Sequence, residues 1–254
     1  MGVTKIVSLQ AFLAYPADLP EEIPVGILRG MNDFMHKLGA SVTGGQTIKN
    51  PEPVFGGIAL GVAHPNDVVY SHGAKPGDVV LLTKPLGIQS AMRSYRDLLD
   101  DKRDALLESF SESELARMQD VAVRIMTKSN LEVAEAMRIV KAHAATDITG
   151  FGILGHASNV AALSCVDVVL DTIPVIRGTL ELAEFFGHKL SEGFGAETAG
   201  GMLVFVEPKK VNNFIEFLSE RNLPCWTLGH TIKPVNDPSA YFAKDTEFIE
   251  TEFP

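Results

Sequence analysis

With 254 residues, 46% hydrophobic and 21% charged, the chain has the make-up of a globular protein with room for one large or two modest domains. A formal charge of −10, with no stretch that gathers Lys and Arg, argues against a dedicated nucleic-acid binder, and no apolar run reaches the roughly 18 residues of a membrane span. Two cysteines, Cys165 and Cys225, make no disulfide framework and fit a reducing, cytoplasmic compartment; each adjoins an apolar run and reads as a buried, inert thiol.

The run Ile6–Ala14 behind Lys5 resembles the apolar core of a targeting signal, but Ser8 and Gln10 interrupt it and no cleavage site follows. Val3–Ala14 is therefore expected to be a strand. Pro20–Glu21–Glu22 opens a helix whose Ile27, Leu28, Met31, Phe34, Met35 and Leu38 recur at spacings of three and four, and Gly39 ends it. Ala40–Thr43 and Val54–Val62 read as strands flanking a Gly44–Pro53 loop. His64–Gly77, with Pro65, Gly73, Pro76 and Gly77, is the expected inter-domain connection. Asp78–Thr83 then opens a second half as a strand. Gly87–Asp100 and Glu112–Lys128 read as helices joined by a charged surface segment, and Asn130–Ala142 as a helix packed on a core. Strands at Val166–Leu170, Gly201–Val206 and Trp226–His230 complete an α+β pattern.

Two segments carry chemistry. In Ala145–His156, Asp147 ends an apolar approach and is followed by Gly150, Gly152 and Gly155. A carboxylate at a strand end can hold Mg²⁺ through oxygen, and glycines opening the next helix let backbone N–H groups approach an anion. The alternative is an Asp N-cap on an ordinary helix whose glycines only allow close packing. In Ser41–Pro53, Gly44 and Gly45 would let a ligand touch the backbone, while Gln46 and Thr47 add polar groups; a plain turn between strands is the competing reading. Lys49 and Lys84 flank glycine segments and could attract phosphate. Glu197–Thr198 and His156 each have a bland reading too, as a strand-entry turn and a hydrogen-bonded histidine on a helix surface. No Walker motif, H-x-x-x-H pair or Cys/His cluster occurs among the seven histidines and two cysteines.

Gly44–Thr47 with Pro51–Glu52–Pro53, Gly77–Asp78–Val79 through Leu82–Gly87, Ala144–His156 and Glu197–Leu203 follow one another in an order that resembles selenophosphate synthetases (selenide, water dikinases) of the eukaryotic type. The likeness runs over essentially the whole chain. It departs at Ile88, where a smaller or hydroxylated residue is usual, and at Ala199, where Ser is usual. The resemblance implies an α+β, two-domain fold of the aminoimidazole-ribonucleotide-synthetase type. Residues 1–64 would then be the remainder of an N-terminal nucleotide-binding domain, 65–77 the connection and 78–254 the C-terminal α+β domain. It further implies conversion of selenide, ATP and water to selenophosphate, AMP and orthophosphate. Asp147 would be a Mg²⁺ ligand, and Gly44, Gly45, Gln46 and Thr47 would neighbour ATP, in a homodimer with no nucleic-acid or membrane partner. The family's Cys or selenocysteine, its Lys and further metal-binding acids would lie upstream of Met1. The chain is thus expected to be an N-terminally truncated form, inactive alone. A catalytically silent homologue that dimerises or binds partners is the second reading, and a thiamine-monophosphate kinase a weaker third.

Overall fold

A computed structural model describes residues 1–98 and 103–254 and divides the chain into two compact units, Gly2–Val68 and Val69–Pro254, the latter with Met1. The smaller unit is a βαββ arrangement: β1 (Lys5–Tyr15), α1 (Glu22–Lys37), β2 (Val42–Lys49) and β3 (Val54–Val62). Its sheet has the order β2-β1-β3, with β2 parallel and β3 antiparallel to β1. Helix α1 is the crossover that a parallel pair requires. Glu22 in its first turn and His36 and Lys37 in its last complement the helix dipole. Ala11 and Leu13 of β1 are buried with Met35 of α1.

The glycine pair here is not a loop. Strand β2 runs through Gly44 and Gly45, which pair with Gln10 and Ala11, and the link to β3 is confined to 50–53. The register shifts between Leu9 and Gln10, and Gly45 takes φ +143°. A Cβ there would stand 1.7 Å from the Ala11 carbonyl oxygen, so this glycine serves close strand approach at a bulge rather than a turn.

The larger unit is built on a six-stranded sheet. Its strands are β4 (Val79–Leu82), β5 (Ala144–Asp147), β6 (Asp167–Ile176), β7 (Met202–Val206), β8 (Trp226–Ile232) and β9 (Ala240–Thr251). They lie in the order β5-β7-β4-β8-β6-β9, antiparallel except for the β6/β9 pair. The helices are α2 (Ile88–Asp97), α3 (Arg103–Leu107), α4 (Glu112–Thr127), α5 (Leu131–Val140), α6 (Gly152–Ser164), α7 (Thr179–Phe186) and α8 (Val211–Ser219). The period of two along the strands explains why β4 and β7 are apolar throughout. Val80, Leu82, Leu203 and Phe205 pack with Ile153, Ala157 and Val160 of α6. Leu81, Val204 and Val206 pack with Val133 and Met137 of α5 and Phe214 and Leu218 of α8. A separate cluster joins α2 and α4 through Ile88, Ala91, Leu115, Met118, Val121 and Ile125.

Several expectations need correction. The segment joining α2 and α4 contains α3, whose Leu106 is buried, so it is not only charged surface; residues 99 and 100, expected to end α2, and 101 and 102 after them lie outside the described residues. Strand β9 carries no apolar pattern in the sequence, because Lys, Asp, Glu and Thr residues are interspersed along this edge strand. Cys165 is exposed, not buried: it caps α6 in the left-handed region at φ +54°. Cys225 is half-buried rather than fully buried, and burial of its sulfur pushes the thiol up to about 12. Among the described residues no helix is long and apolar enough to cross a membrane.

Candidate functional site

Strand β5 delivers Asp147 to one end of the six-stranded sheet. Ala144 and Ala145 are buried, and the Tyr70 carbonyl accepts from the Ala145 N–H on the side away from β7. Asp147 itself is half-buried, opposite Met202 in the ladder. Helix α6 begins at Gly152 with Phe151 as its N-cap and no side-chain cap, which removes the N-cap reading of Asp147. Among the described residues no hydrogen bond or ion pair is made to the Asp147 carboxylate, although the Met1 ammonium and His156 lie within its electrostatic reach; the one side-chain bond at this residue runs from Thr146 Oγ1 to its backbone oxygen. A half-buried carboxylate with unspent lone pairs is suited to a hard cation.

His156 lies one turn into α6 and faces back toward this strand end. It is 8% exposed, hence buried rather than on the helix surface. Its Nε2 accepts from the Thr149 N–H at 3.0 Å and lies 3.1 Å from Thr149 Oγ1, which puts the ring proton of the neutral form on Nδ1. Burial lowers its pKa, against the opposing pull of Asp147.

The Glu197–Gly201 turn beside Asp147 is gripped from several directions. The Glu197 N–H donates to the Thr149 carbonyl at 3.0 Å and the Ile148 N–H to the Gly201 carbonyl at 2.9 Å. The Glu197 carboxylate accepts from the N–H groups of Gly87 and Ile88, at 2.7 and 2.9 Å, and so caps α2 from a position 110 residues away in sequence. Burial pushes this acid up to about 8, against the pull of those two donors. The Lys84 ammonium, 2% exposed, donates to the carbonyls of Lys128 at 2.7 Å and Ala199 at 3.0 Å. Burial, then the Lys128 charge, bring it down to about 8, while Glu132 acts the other way. Asn130 Nδ2 donates to the Gly200 carbonyl at 3.1 Å, and Thr83 Oγ1 accepts from the Met202 N–H at 2.9 Å. Asn130 Oδ1 and Glu132 Oε2 are buried without partners among the described residues. Side chains are barred at the two glycines: a Cβ on Gly200 would lie 2.3 Å from the Ile148 carbonyl oxygen, and one on Gly201 2.6 Å from the Lys84 nitrogen.

Gly44, Gly45, Gln46 and Thr47 belong to the other unit. They are exposed along the edge strand β2 and, with Ala11, Leu13, Leu28 and Val42, line an open concavity of about 390 Å³. Lys49, at the end of β2, places its ammonium 5.6 Å from the centre of the Tyr15 ring. Lys84 is spent on carbonyls and does not stand free beside a glycine segment. Nothing local in the sequence signalled that Lys84, Asn130 and Glu197 meet at one turn, since their partners lie tens of residues away. Among the described residues no three metal-ligating side chains cluster.

The family model for AIR synthase related protein, C-terminal domain, matches residues 75–237. The selenide, water dikinase of Methanocaldococcus jannaschii is 37% identical, the alignment covering 98% of this chain and 72% of that one. That of Methanococcus maripaludis is 36% identical over 91% of this chain and 70% of its own. A eukaryotic relative, from Trypanosoma brucei brucei, is also 36% identical, over 88% of this chain and 60% of its own. Among solved structures, thiamine-monophosphate kinase from Stenotrophomonas maltophilia aligns with a TM-score of 0.75 at 17% identity, covering 97% of this chain and 74% of that one. The hydrogenase maturation protein HypE of E. coli aligns with a TM-score of 0.75 at 16% identity, over 100% and 74%. These two share the α+β fold. The chain belongs to the selenide, water dikinase family, within the AIR synthase-like superfamily.

Proposed function

We propose that this chain acts as a selenophosphate synthetase, which forms selenophosphate from selenide, ATP and water with release of AMP and orthophosphate. The observation that carries the reading is 37% identity to a selenide, water dikinase over 98% of the chain. The Asp147 carboxylate at a strand end, without a hydrogen-bond partner among the described residues, supports it. Phosphoryl transfer asks a protein for position and for charge compensation more than for covalent chemistry. Asp147 would supply one oxygen ligand to Mg²⁺. The metal, when bound, offsets charge on the phosphates. Gly44 and Gly45 would admit the nucleotide to the backbone of β2, with Gln46 and Thr47 offering an amide and a hydroxyl. A homodimer belongs to the same reading. Val54, Ile58, Leu60 and Val62 alternate along β3 and are 50–68% exposed, an apolar row that a second copy would cover.

The test is phosphorus NMR of ATP, Mg²⁺ and selenide incubated with the full-length protein. A selenophosphate resonance together with AMP and phosphate is expected. ATP left at its background rate of hydrolysis, in a protein shown to be folded, would refute the reading and favour a silent homologue.

A further inference from the structure

The Thr198–Gly201 turn has its carbonyls and its N–H groups in opposite situations. The carbonyls of Ala199, Gly200 and Gly201 are taken by Lys84 Nζ, Asn130 Nδ2 and the Ile148 N–H. Among the described residues, no protein acceptor takes the N–H of Thr198, Ala199, Gly200 or Gly201. Thr198 and Ala199 are exposed, whereas Gly200 and Gly201 are buried, where an N–H without an acceptor is costly and calls for a partner. Ala199 holds φ +50°, a left-handed conformation uncommon for a non-glycine residue; unlike Cys165, Ala199 does not cap a helix. Lys84, locked by burial and by its second bond to Lys128, fixes the Ala199 carbonyl. A turn with a left-handed residue and successive free N–H groups is an anion-binding shape.

We propose that Thr198–Gly201 is a backbone oxyanion site that takes a phosphate group, with Lys84 and Asn130 as the positioning residues that hold it in shape. The ligand class follows from the donors. Four N–H groups and no side-chain acid within the turn suit a tetrahedral oxyanion, and the nearby Lys84 ammonium adds positive potential without touching the ligand. The site stands on its own geometry and does not depend on the reaction proposed above.

The test is a titration of the ¹⁵N-labelled 254-residue chain with inorganic phosphate, ADP and ATP in turn, reading the amide shifts of residues 198–201. A saturable shift with phosphate alone identifies free phosphate as the ligand; a shift only with the nucleotides identifies their phosphoryl groups. Either supports the site, and unmoved amides with all three at millimolar concentration overturn it. Lys84→Met should weaken the binding about tenfold or more by freeing the Ala199 carbonyl. Ala199→Gly, which takes the left-handed conformation without strain, should leave it within about twofold. If Lys84→Met does not fold, Asn130→Ala, which frees the Gly200 carbonyl, replaces it. A folded variant of either kind that binds like the parent refutes the positioning roles. Because phosphate binding is read without turnover, an inactive protein that binds phosphate at this turn would sink the proposed reaction and leave the site standing.

Discussion

Replacing Glu197 by Gln should change how stability depends on pH, and in a direction that buried charge dictates. Glu197 is 5% exposed, and both of its oxygens accept from the first N–H groups of α2. Burial nonetheless dominates and lifts its pKa from 4.5 to about 8. A folded pKa above the unfolded one means that the folded state binds the extra proton. The corresponding stability is present in full below the unfolded value and is lost as pH rises through the folded one. Integrated from about pH 5 to about pH 8, the loss is on the order of 3 kcal/mol. Gln cannot titrate, so the variant lacks this slope. At low pH it should be the weaker protein, by roughly 1–3 kcal/mol, because its amide NH₂ faces an N–H that then has no acceptor. Toward pH 8 the gap should close or reverse. Urea unfolding, followed by the fluorescence of the single tryptophan, Trp226 in β8 of the same unit, gives both curves. A difference between parent and variant that stays constant from about pH 5 to about pH 8 would show that Glu197 is a permanently charged cap, and the reasoning from burial would fail.

Asp147→Asn should cut Mg²⁺-dependent turnover in the full-length protein by on the order of a hundredfold while leaving the melting temperature nearly unchanged, since no hydrogen-bond donor among the described residues relies on this carboxylate. Turnover within about threefold of the parent, with unaltered Mg²⁺ dependence, would return Asp147 to a structural role. Gly45→Ala should destabilise the smaller unit by about 2 kcal/mol or more, because its Cβ meets the Ala11 carbonyl oxygen at 1.7 Å; amide exchange at Ala11–Leu13 is the readout, and unchanged protection would refute the close-approach account. Sedimentation at micromolar concentration should give about twice the chain mass of 27.4 kDa, with Ile58→Lys shifting it toward the monomer; a parent that sediments as a monomer would count against the homodimer.

What was legible in the sequence is what neighbours along the chain decide. Helix α1 was readable because Ile27, Leu28, Met31, Phe34 and Met35 repeat at helical spacing over several turns. Strand β5, with its acid at the end and glycines beyond, was readable because an apolar run stops abruptly at Asp147. Strand β9 was not, since it lies at the sheet edge and needs only a few apolar residues among its charges. The charged link between α2 and α4 hid α3 for a similar reason: Leu106 is its one buried residue, too little to make a pattern.

Gly44–Gly45 and Gly200–Gly201 show why glycine is ambiguous in a sequence and decisive in a structure. Both pairs suggest a turn. In β2 the pair lies within a paired strand, and the missing Cβ makes room for the Ala11 carbonyl of the neighbouring strand. At Gly200–Gly201 the chain does turn, and the missing Cβ atoms make room for the Ile148 carbonyl and the Lys84 backbone. The residue type states only that something comes close. What comes close is set by partners far along the chain, and the same is true of the charges. Glu197 and Lys84 were legible as polar residues next to glycines, which invites a reading as ligand contacts. Each is instead turned inward, one to the N-terminus of α2 and the other to two carbonyls, and each has its pKa brought to about 8 by burial. Burying two ionisable groups opposes folding unless hydrogen bonds such as these offset the desolvation. Here they fix the backbone beside Asp147, so the groups that look like ligand contacts in the sequence act as supports, and the backbone N–H groups they orient are left to meet the ligand.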